Sequence, residues 1–181
     1  PAGTLLFFYG DSGPLALLTG TLILALVLRA TVSLPLAVLA SVGVGVAAGL
    51  AMVVFSGQYL DQVAIYFGEF LDSLEQQLSQ GDQQVVLARP DATQVAGMMG
   101  VGAGMTSVLC LLLARYWQAL LYNPGGFGGE FKALYYPPAV AALLALLTVG
   151  LASMGASYRT WAMICVIPLM FAGLALVHAR A

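Results

Sequence analysis

Long apolar runs separated by short polar breaks dominate the pattern of this chain. Runs that approach a bilayer crossing of about 20 residues occupy about 14–29, 34–56, 93–114, 138–153 and 161–177. Arg29 is the only charge between the first two runs, and a mid-membrane arginine is costly, so we place their turn there. Residues 1–9 are too few to cross, and we expect the tail of an earlier helix or an interfacial piece. The pattern predicts an all-α fold, a polytopic transmembrane helical bundle of about five spans forming a single membrane domain over residues 1–181.

Between the second and third runs, the pattern changes to that of an amphipathic helix over about 58–79. Its apolar positions recur at alternating spacings of four and three, which places them on one helix face: Leu60, Ala64, Phe67, Leu71, Leu74 and Leu78. Such a helix can cap its own bundle, lie along the membrane surface or pair with a partner helix. Its acidic polar face favours docking on protein over attraction to anionic lipid.

Composition agrees with a lipid environment. The 181 residues are 61% hydrophobic and 8% charged, whereas about a quarter of the residues of a soluble domain are charged. The net charge of -2 and the lack of a Lys/Arg cluster exclude a nucleic-acid-binding surface. The expected partners are the lipid bilayer and other membrane protein subunits. The composition is also compatible with binding of a small-molecule ligand.

Positive charges in the short connections predict an orientation. If the spans alternate, Arg29, Arg115, Lys132 and Arg180 share one side and Arg89 and Arg159 the other, a bias of 4 to 2. We expect the first set on the cytoplasmic side, with a cytoplasmic loop over 115–137 and the amphipathic helix outside, in a multi-pass protein of the bacterial inner membrane. Of the acidic residues, only Glu130 then lies inside, and the following lie outside: Asp11, Asp61, Glu69, Asp72, Glu75, Asp82 and Asp91.

The chain has few side chains that could carry chemistry. Its single histidine, His178, lies beside Arg180, where an interfacial role fits better than acid/base work. Glu130 has no second carboxylate near it on the predicted inner side. Zinc-protease, nucleophile-elbow and P-loop patterns are missing. We therefore expect a protein that is not an enzyme, with no cofactor and no metal.

Small residues recur inside two of the predicted spans. Gly45 and Gly49 form one G-x-x-x-G pair, and Gly100 and Gly104 form another. Such pairs let helix backbones approach closely, within one bundle or between partners. In a further alternative the glycines line a cavity whose wall includes Met98, Met105, Thr106 and Ser107.

The interval Arg115 to Pro138 is the long polar and aromatic break near the middle of the chain. It has aromatic anchors at both ends, and a turn is expected at Asn123-Pro124-Gly125-Gly126 because proline restricts φ and glycine permits positive φ. The interval is either a well-anchored loop or a surface that docks a partner. The candidate docking residues are Asn123, Pro124, Gly125, Gly126, Phe127, Glu130 and Phe131.

Two segments carry a family resemblance. NPGGFGGEFKAL at 123–134 and LRATVSLPLA at 28–37 resemble the YybS-like family of predicted bacterial inner-membrane proteins. That family is longer, which implies missing spans at both ends, and it commonly has basic residues where this chain has Gly128 and Gly129. The resemblance implies a fold similar to the substrate-binding membrane subunits of energy-coupling-factor transporters, which hold a small molecule and rely on separate ATPases.

Two functional hypotheses follow. The first is a non-catalytic membrane subunit that resembles a small-molecule-binding transporter component and works with partner proteins. The second is a structural or assembly subunit of a larger membrane complex that binds no ligand of its own. A cavity of several hundred Å³ favours the first, and a filled bundle favours the second.

Overall fold

The computed structural model describes residues 13–78 and 87–180, and the regular structure in these ranges is α-helical. The helices are α1 (Gly13–Thr31), α2 (Leu34–Leu39), α3 (Ser41–Phe55), α4 (Gly57–Leu78), α5 (Ala92–Tyr122), α6 (Gly126–Lys132), α7 (Pro138–Ser153) and α8 (Ala156–Arg180). The all-α prediction is therefore confirmed for the described part of the chain. The expectations for residues 1–9, Asp11 and Asp82 lie outside it.

Three helical rods in the described ranges are long and apolar enough to cross a membrane. They are Leu34–Phe55, in which α2 and α3 join, α5 and α8. The join is continuous because Ala40 keeps helical backbone angles, with φ -61° and ψ -17°. Two shorter apolar helices, Leu17–Thr31 and Pro138–Ser153, accompany them. These lengths and compositions indicate a membrane protein.

Helix α5 occupies the centre of the bundle. It packs against α3 and α8 over much of its length, and also against α1, α4 and α6. Helix α7 packs chiefly on α8 at the periphery, and its only buried residue is Leu144. A core of buried side chains from several helices joins these elements: Leu24, Leu34, Val38, Val44, Val108, Leu134, Ile167 and Phe171.

Two helix ends lie beyond the limits of the predicted spans. Helix α5 continues past Arg115 to Tyr122, since nothing before Asn123-Pro124 breaks it. The first third of the predicted loop is therefore helical. Helix α8 already begins at Ala156, because the turn from α7 is completed at Gly155, whose φ of 123° suits glycine.

Helix α4 covers only one end of the bundle. Leu60 is its one buried residue and packs with Val95 and Ala96 at the start of α5. Part of its apolar face remains exposed, at Tyr59 and Tyr66 among others. Arg89 pairs with Asp72, and the Leu87 amide donates to Glu75 Oε1 at 2.6 Å, so residues 87–89 lie along the acidic side of α4.

Candidate functional site

The predicted docking loop folds into a turn followed by the short helix α6. Gly125 has a φ of 84°, and the Gly126 amide donates to the carbonyl oxygen of Asn123 at 3.0 Å. The left-handed backbone explains the need for glycine at position 125. Asn123 and Pro124 are exposed at the tip, whereas Phe127 is half-buried.

The aromatic residues of this loop contact the chain's own helices. Phe127 lies edge-on to Tyr116 of α5, with ring centroids 5.9 Å apart, and stacks on Phe131 at 5.9 Å. Phe131 in turn lies 6.3 Å from His178 of α8. These separations are those of favourable aromatic pairs. Phe127 and Phe131 thus fasten α6 to α5 and α8, which leaves the tip residues as the freer part of the predicted docking surface.

A salt bridge fastens α6 to α5 a second time. Arg115 Nη2 lies 2.6 Å from Glu130 Oε2, and Arg115 Nη1 donates to Gln118 Oε1 at 2.6 Å. Both charged side chains are partly buried, so the attraction between them is screened less than that of a fully exposed pair. Arg115 is therefore the ion-pair partner of Glu130.

The segment after α6 is held against the start of α2. Leu134 is buried in the main core, and the Tyr136 hydroxyl donates to the carbonyl oxygen of Pro35 at 3.2 Å. Burial raises the pKa of Tyr136, so its hydroxyl keeps the proton that it donates. Helix α6 and the segment that follows it to Tyr136 therefore form a cap packed on one end of the bundle.

A pocket of about 430 Å³ opens beside this cap, between α1 and α5. Its polar residues are Arg29, Arg115, Gln118 and Glu130. Its apolar residues are Ala25, Leu28, Val32, Leu111 and Ala114. The volume lies within the range of about 300–1,000 Å³ usual for small-molecule sites. Apolar walls with a few polar groups are also typical of such sites. The pocket is partly open to the outside of the bundle, because Val32 is 88% exposed and Arg29 and Ala114 are also exposed. It is a candidate ligand site in the described part of the chain.

No family model, curated protein or solved structure matches this chain. The YybS-like resemblance and the transporter role that it implies stay predictions. Within residues 13–78 and 87–180, no group of three or more His, Cys, Asp or Glu side chains is placed to hold a metal ion.

The four glycines singled out in the sequence lie along one contact between α3 and α5. A Cβ added at Gly45 would lie 2.9 Å from the carbonyl oxygen of Gly100, and one added at Gly100 would lie 2.5 Å from that of Gly45. Four residues along in either direction, a Cβ added at Gly104 would lie 3.1 Å from the carbonyl oxygen of Ser41. One added at Gly49 would lie 3.1 Å from the carbonyl oxygen of Ala96. The two antiparallel backbones thus approach at three successive levels, as G-x-x-x-G pairs permit.

Helix α8 covers this glycine seam with large side chains. Ile164 lies 2.8 Å from the position of a Cβ at Gly45, and Trp161 lies 2.7 Å from that at Gly49. The Trp161 Nε1 also donates to the carbonyl oxygen of Thr93 at 3.0 Å. The centre of the α3, α5 and α8 packing is therefore filled.

The residues expected to line a cavity do not converge on one. Met98 is exposed on the outer surface of α5, whereas Ser107 is fully buried against Gly20 of α1. Met105 and Thr106 are half-buried, and none of the four lines the pocket at the Arg115 end. Neighbouring positions on a helix point about 100° apart, so a cluster in sequence does not form a wall in space.

Sequence reasoning missed a polar network at the opposite end of the bundle. Asp91 caps α5 by accepting from the Gln94 amide at 2.7 Å, and Gln94 Oε1 accepts from the Asp91 amide at 3.0 Å. Asp91 also accepts from the Ser157 hydroxyl, and Gln94 Nε2 donates to the carbonyl oxygen of Ala156 at 2.8 Å. The hydrogen bond from Ser157, followed by that from the Gln94 amide, holds the pKa of Asp91 below its usual value. The spacing of Asp91 and Gln94 before an apolar run is the signal that could have revealed this capping box.

The sequence pattern did not predict the pocket, although it singled out three of its residues, Arg29, Arg115 and Glu130. The pattern predicts a turn at Arg29 and the start of the cytoplasmic loop at Arg115. The alternation of spans already predicts that both lie at the same end of the bundle. Their approach in space depends on the packing of α1 against α5, which the spacing of residues does not specify.

Proposed function

We propose that this chain is a non-catalytic, multi-pass membrane subunit that binds a small molecule in the pocket between α1 and α5 and works with partner proteins. The pocket of about 430 Å³ is the observation that carries the proposal. Its size and mixture of walls fit a ligand site. The role of the chain as a subunit agrees with the missing P-loop, since a motor for transport would belong to another protein.

The proposal includes five membrane crossings. Leu34–Phe55, α5 and α8 have the length for three of them. The other two are α1, with 19 residues, and α7, with 16 residues. They are about 28 Å and about 24 Å long against a hydrocarbon core of about 30 Å. Such a mismatch costs only fractions of a kcal/mol per Å, because the bilayer thins locally. In this arrangement the pocket faces the cytoplasmic side of a bacterial inner membrane.

Native mass spectrometry of the full chain in a mild detergent tests the ligand site. We expect a small molecule bound to the parent chain and lost in Ala114→Trp, which fills the pocket. Ala145→Trp makes the same substitution on the exposed face of α7 and should retain the molecule. A bound molecule that survives Ala114→Trp would move the site elsewhere, and a parent chain that carries none would contradict the proposal.

A structural or assembly subunit is the second candidate. The filled packing of α3, α5 and α8 favours it, because a rigid core with an apolar outer surface suits a scaffold in a larger complex. The same mass spectra separate the two functions. A chain that retains protein companions and carries no small molecule would support the second candidate against the first.

A further inference from the structure

The polar side of the pocket between α1 and α5 carries net positive charge. It has two guanidinium groups, Arg29 and Arg115, against the single carboxylate of Glu130. Glu130 is paired with Arg115 at 2.6 Å. Within the described ranges no carboxylate pairs with Arg29. The pocket therefore has an uncompensated cation, which favours an anionic ligand.

The remaining wall of the pocket is apolar. Leu28 and Ala25 of α1 face Leu111 and Ala114 of α5 across it. Carbon chains pack favourably against such surfaces through van der Waals contact. A ligand that satisfies both sides of the pocket needs an anionic head and an apolar chain.

We infer that this pocket binds a phosphate-bearing amphiphile, with the phosphate held by Arg29 and Arg115 and the chain along Leu28 and Leu111. The inference rests on the proposed ligand site and adds its chemical class. A guanidinium presents a planar pair of donors that matches phosphate oxygens. Basic pockets between membrane helices on the cytoplasmic side are known to bind lipid phosphates.

Three probes separate the two halves of the ligand. Dioctanoyl phosphatidate carries the phosphate and the chains, dioctanoylglycerol carries the chains alone, and sodium phosphate carries the anion alone. Each is titrated into the full chain in a maltoside detergent, and its Kd is measured by native mass spectrometry or thermophoresis. We expect phosphatidate to bind at least about 10-fold more tightly than either of the other probes, which corresponds to about 1.4 kcal/mol.

Two matched variants locate the phosphate. Arg29→Gln removes the unpaired charge and should weaken phosphatidate binding about 10-fold, while Arg29→Lys should recover part of it. Arg180→Gln removes an arginine at the same end of the bundle but outside the pocket, and it should leave the Kd unchanged. Because Arg29 is exposed and makes no ion pair in the described structure, its substitution should leave the fold intact.

Several outcomes would overturn the inference. Equal binding of phosphatidate and dioctanoylglycerol would mean that the phosphate does not contribute to recognition. Equal binding of phosphatidate and sodium phosphate would mean that the pocket binds a free anion instead of an amphiphile. A Kd that is insensitive to Arg29→Gln would place the lipid elsewhere. If a non-phosphate molecule copurifies and Ala114→Trp displaces it, the inference fails while the proposed ligand site stands. If nothing occupies the pocket and phosphatidate does not bind, both fail.

Discussion

Val32 has an unfavourable backbone conformation in the link between α1 and α2. Its φ is 50°, a region that β-branched residues rarely occupy. The left-handed conformation costs an L-residue roughly 1–2 kcal/mol. Val32 also lines the pocket, so the strained link and the candidate ligand site adjoin.

We expect Val32→Gly to stabilise the chain by about 0.5–1 kcal/mol. The relief of roughly 1–2 kcal/mol of strain exceeds the roughly 0.5–1 kcal/mol that glycine loses through its freedom in the unfolded chain. The free energy of unfolding in mixed detergent micelles measures the change. Val53→Gly, at an exposed position inside α3, should destabilise by about 1 kcal/mol. A loss of stability in both variants would contradict the strain at Val32.

Asp91→Ala should lower the free energy of unfolding by about 1 kcal/mol at neutral pH, because it removes the cap of α5. The pKa of Asp91 is lowered in the folded chain, so the ionised carboxylate stabilises the fold. That stability is present above the unfolded pKa of about 3.9 and is lost as the pH falls through the lower folded pKa.

Unfolding measured from pH 7 down to pH 2 in detergent tests this pH dependence. The difference between the parent chain and Asp91→Ala should shrink below about pH 4. Asp61→Ala, on the exposed polar face of α4, should stay within about 0.5 kcal/mol of the parent at neutral pH. A difference that is constant with pH would mean that the charge of Asp91 does not contribute.

At the scale of elements, the glycine seam determines how closely α3 and α5 approach. The nearest group to an added Cβ at Gly100 is the Gly45 carbonyl oxygen, at 2.5 Å. Because that atom belongs to the backbone, no side-chain rotation can make room for a methyl group. The helices themselves would have to move apart, which would also disturb the packing of Ile164.

We therefore expect Gly100→Ala to destabilise the bundle by about 1–3 kcal/mol, the usual range for overpacking a core. Gly102→Ala is the matched control on the same helix, since an added Cβ there meets nothing within 4 Å. It should be neutral or stabilising by up to about 1 kcal/mol, because alanine favours the helix over glycine. Thermal unfolding of both in detergent measures the contrast, and equal effects would show that the seam does not depend on its glycines.

At the scale of the whole molecule, the bundle has two chemically different ends. One end holds Arg29, Arg115, Lys132 and the aromatic cap, and the other holds Asp91 and the acidic helix α4. Of the three long rods, Leu34–Phe55 runs from the first end to the second, and α5 and α8 both run in the opposite direction. The predicted orientation rests on this difference in charge between the two ends.

Single cysteines in a background without Cys110 and Cys165 test the orientation. A membrane-impermeant maleimide should label Ser73→Cys on α4 and Met154→Cys in the α7–α8 turn on intact cells, because both are exposed at the end that we predict to lie outside. Lys132→Cys on α6 should react only after lysis. The reverse pattern would invert the topology, and labelling of Lys132→Cys together with Ser73→Cys would mean that α5 does not cross.

The sequence by itself determined the helical class, the positions of the apolar segments and the glycines suited to close packing. These properties are local or periodic: apolar length, a repeat of four residues and a turn at Asn123-Pro124 can be read without knowing which helices meet. They also predicted that Arg29 and Arg115 lie at one end. The sequence did not indicate that Phe127 and Phe131 pack on α5 and α8 and not on a partner.

Tertiary structure decided which faces meet. It paired Gly45 with Gly100, placed Met98 on the outside and Ser107 on the inside, and opened a pocket between α1 and α5. Lipid is as apolar as the helices, so hydrophobic pattern alone does not distinguish a buried face from a lipid-facing one. That distinction comes from close backbone approach and from paired polar groups, which exist only once the helices have packed.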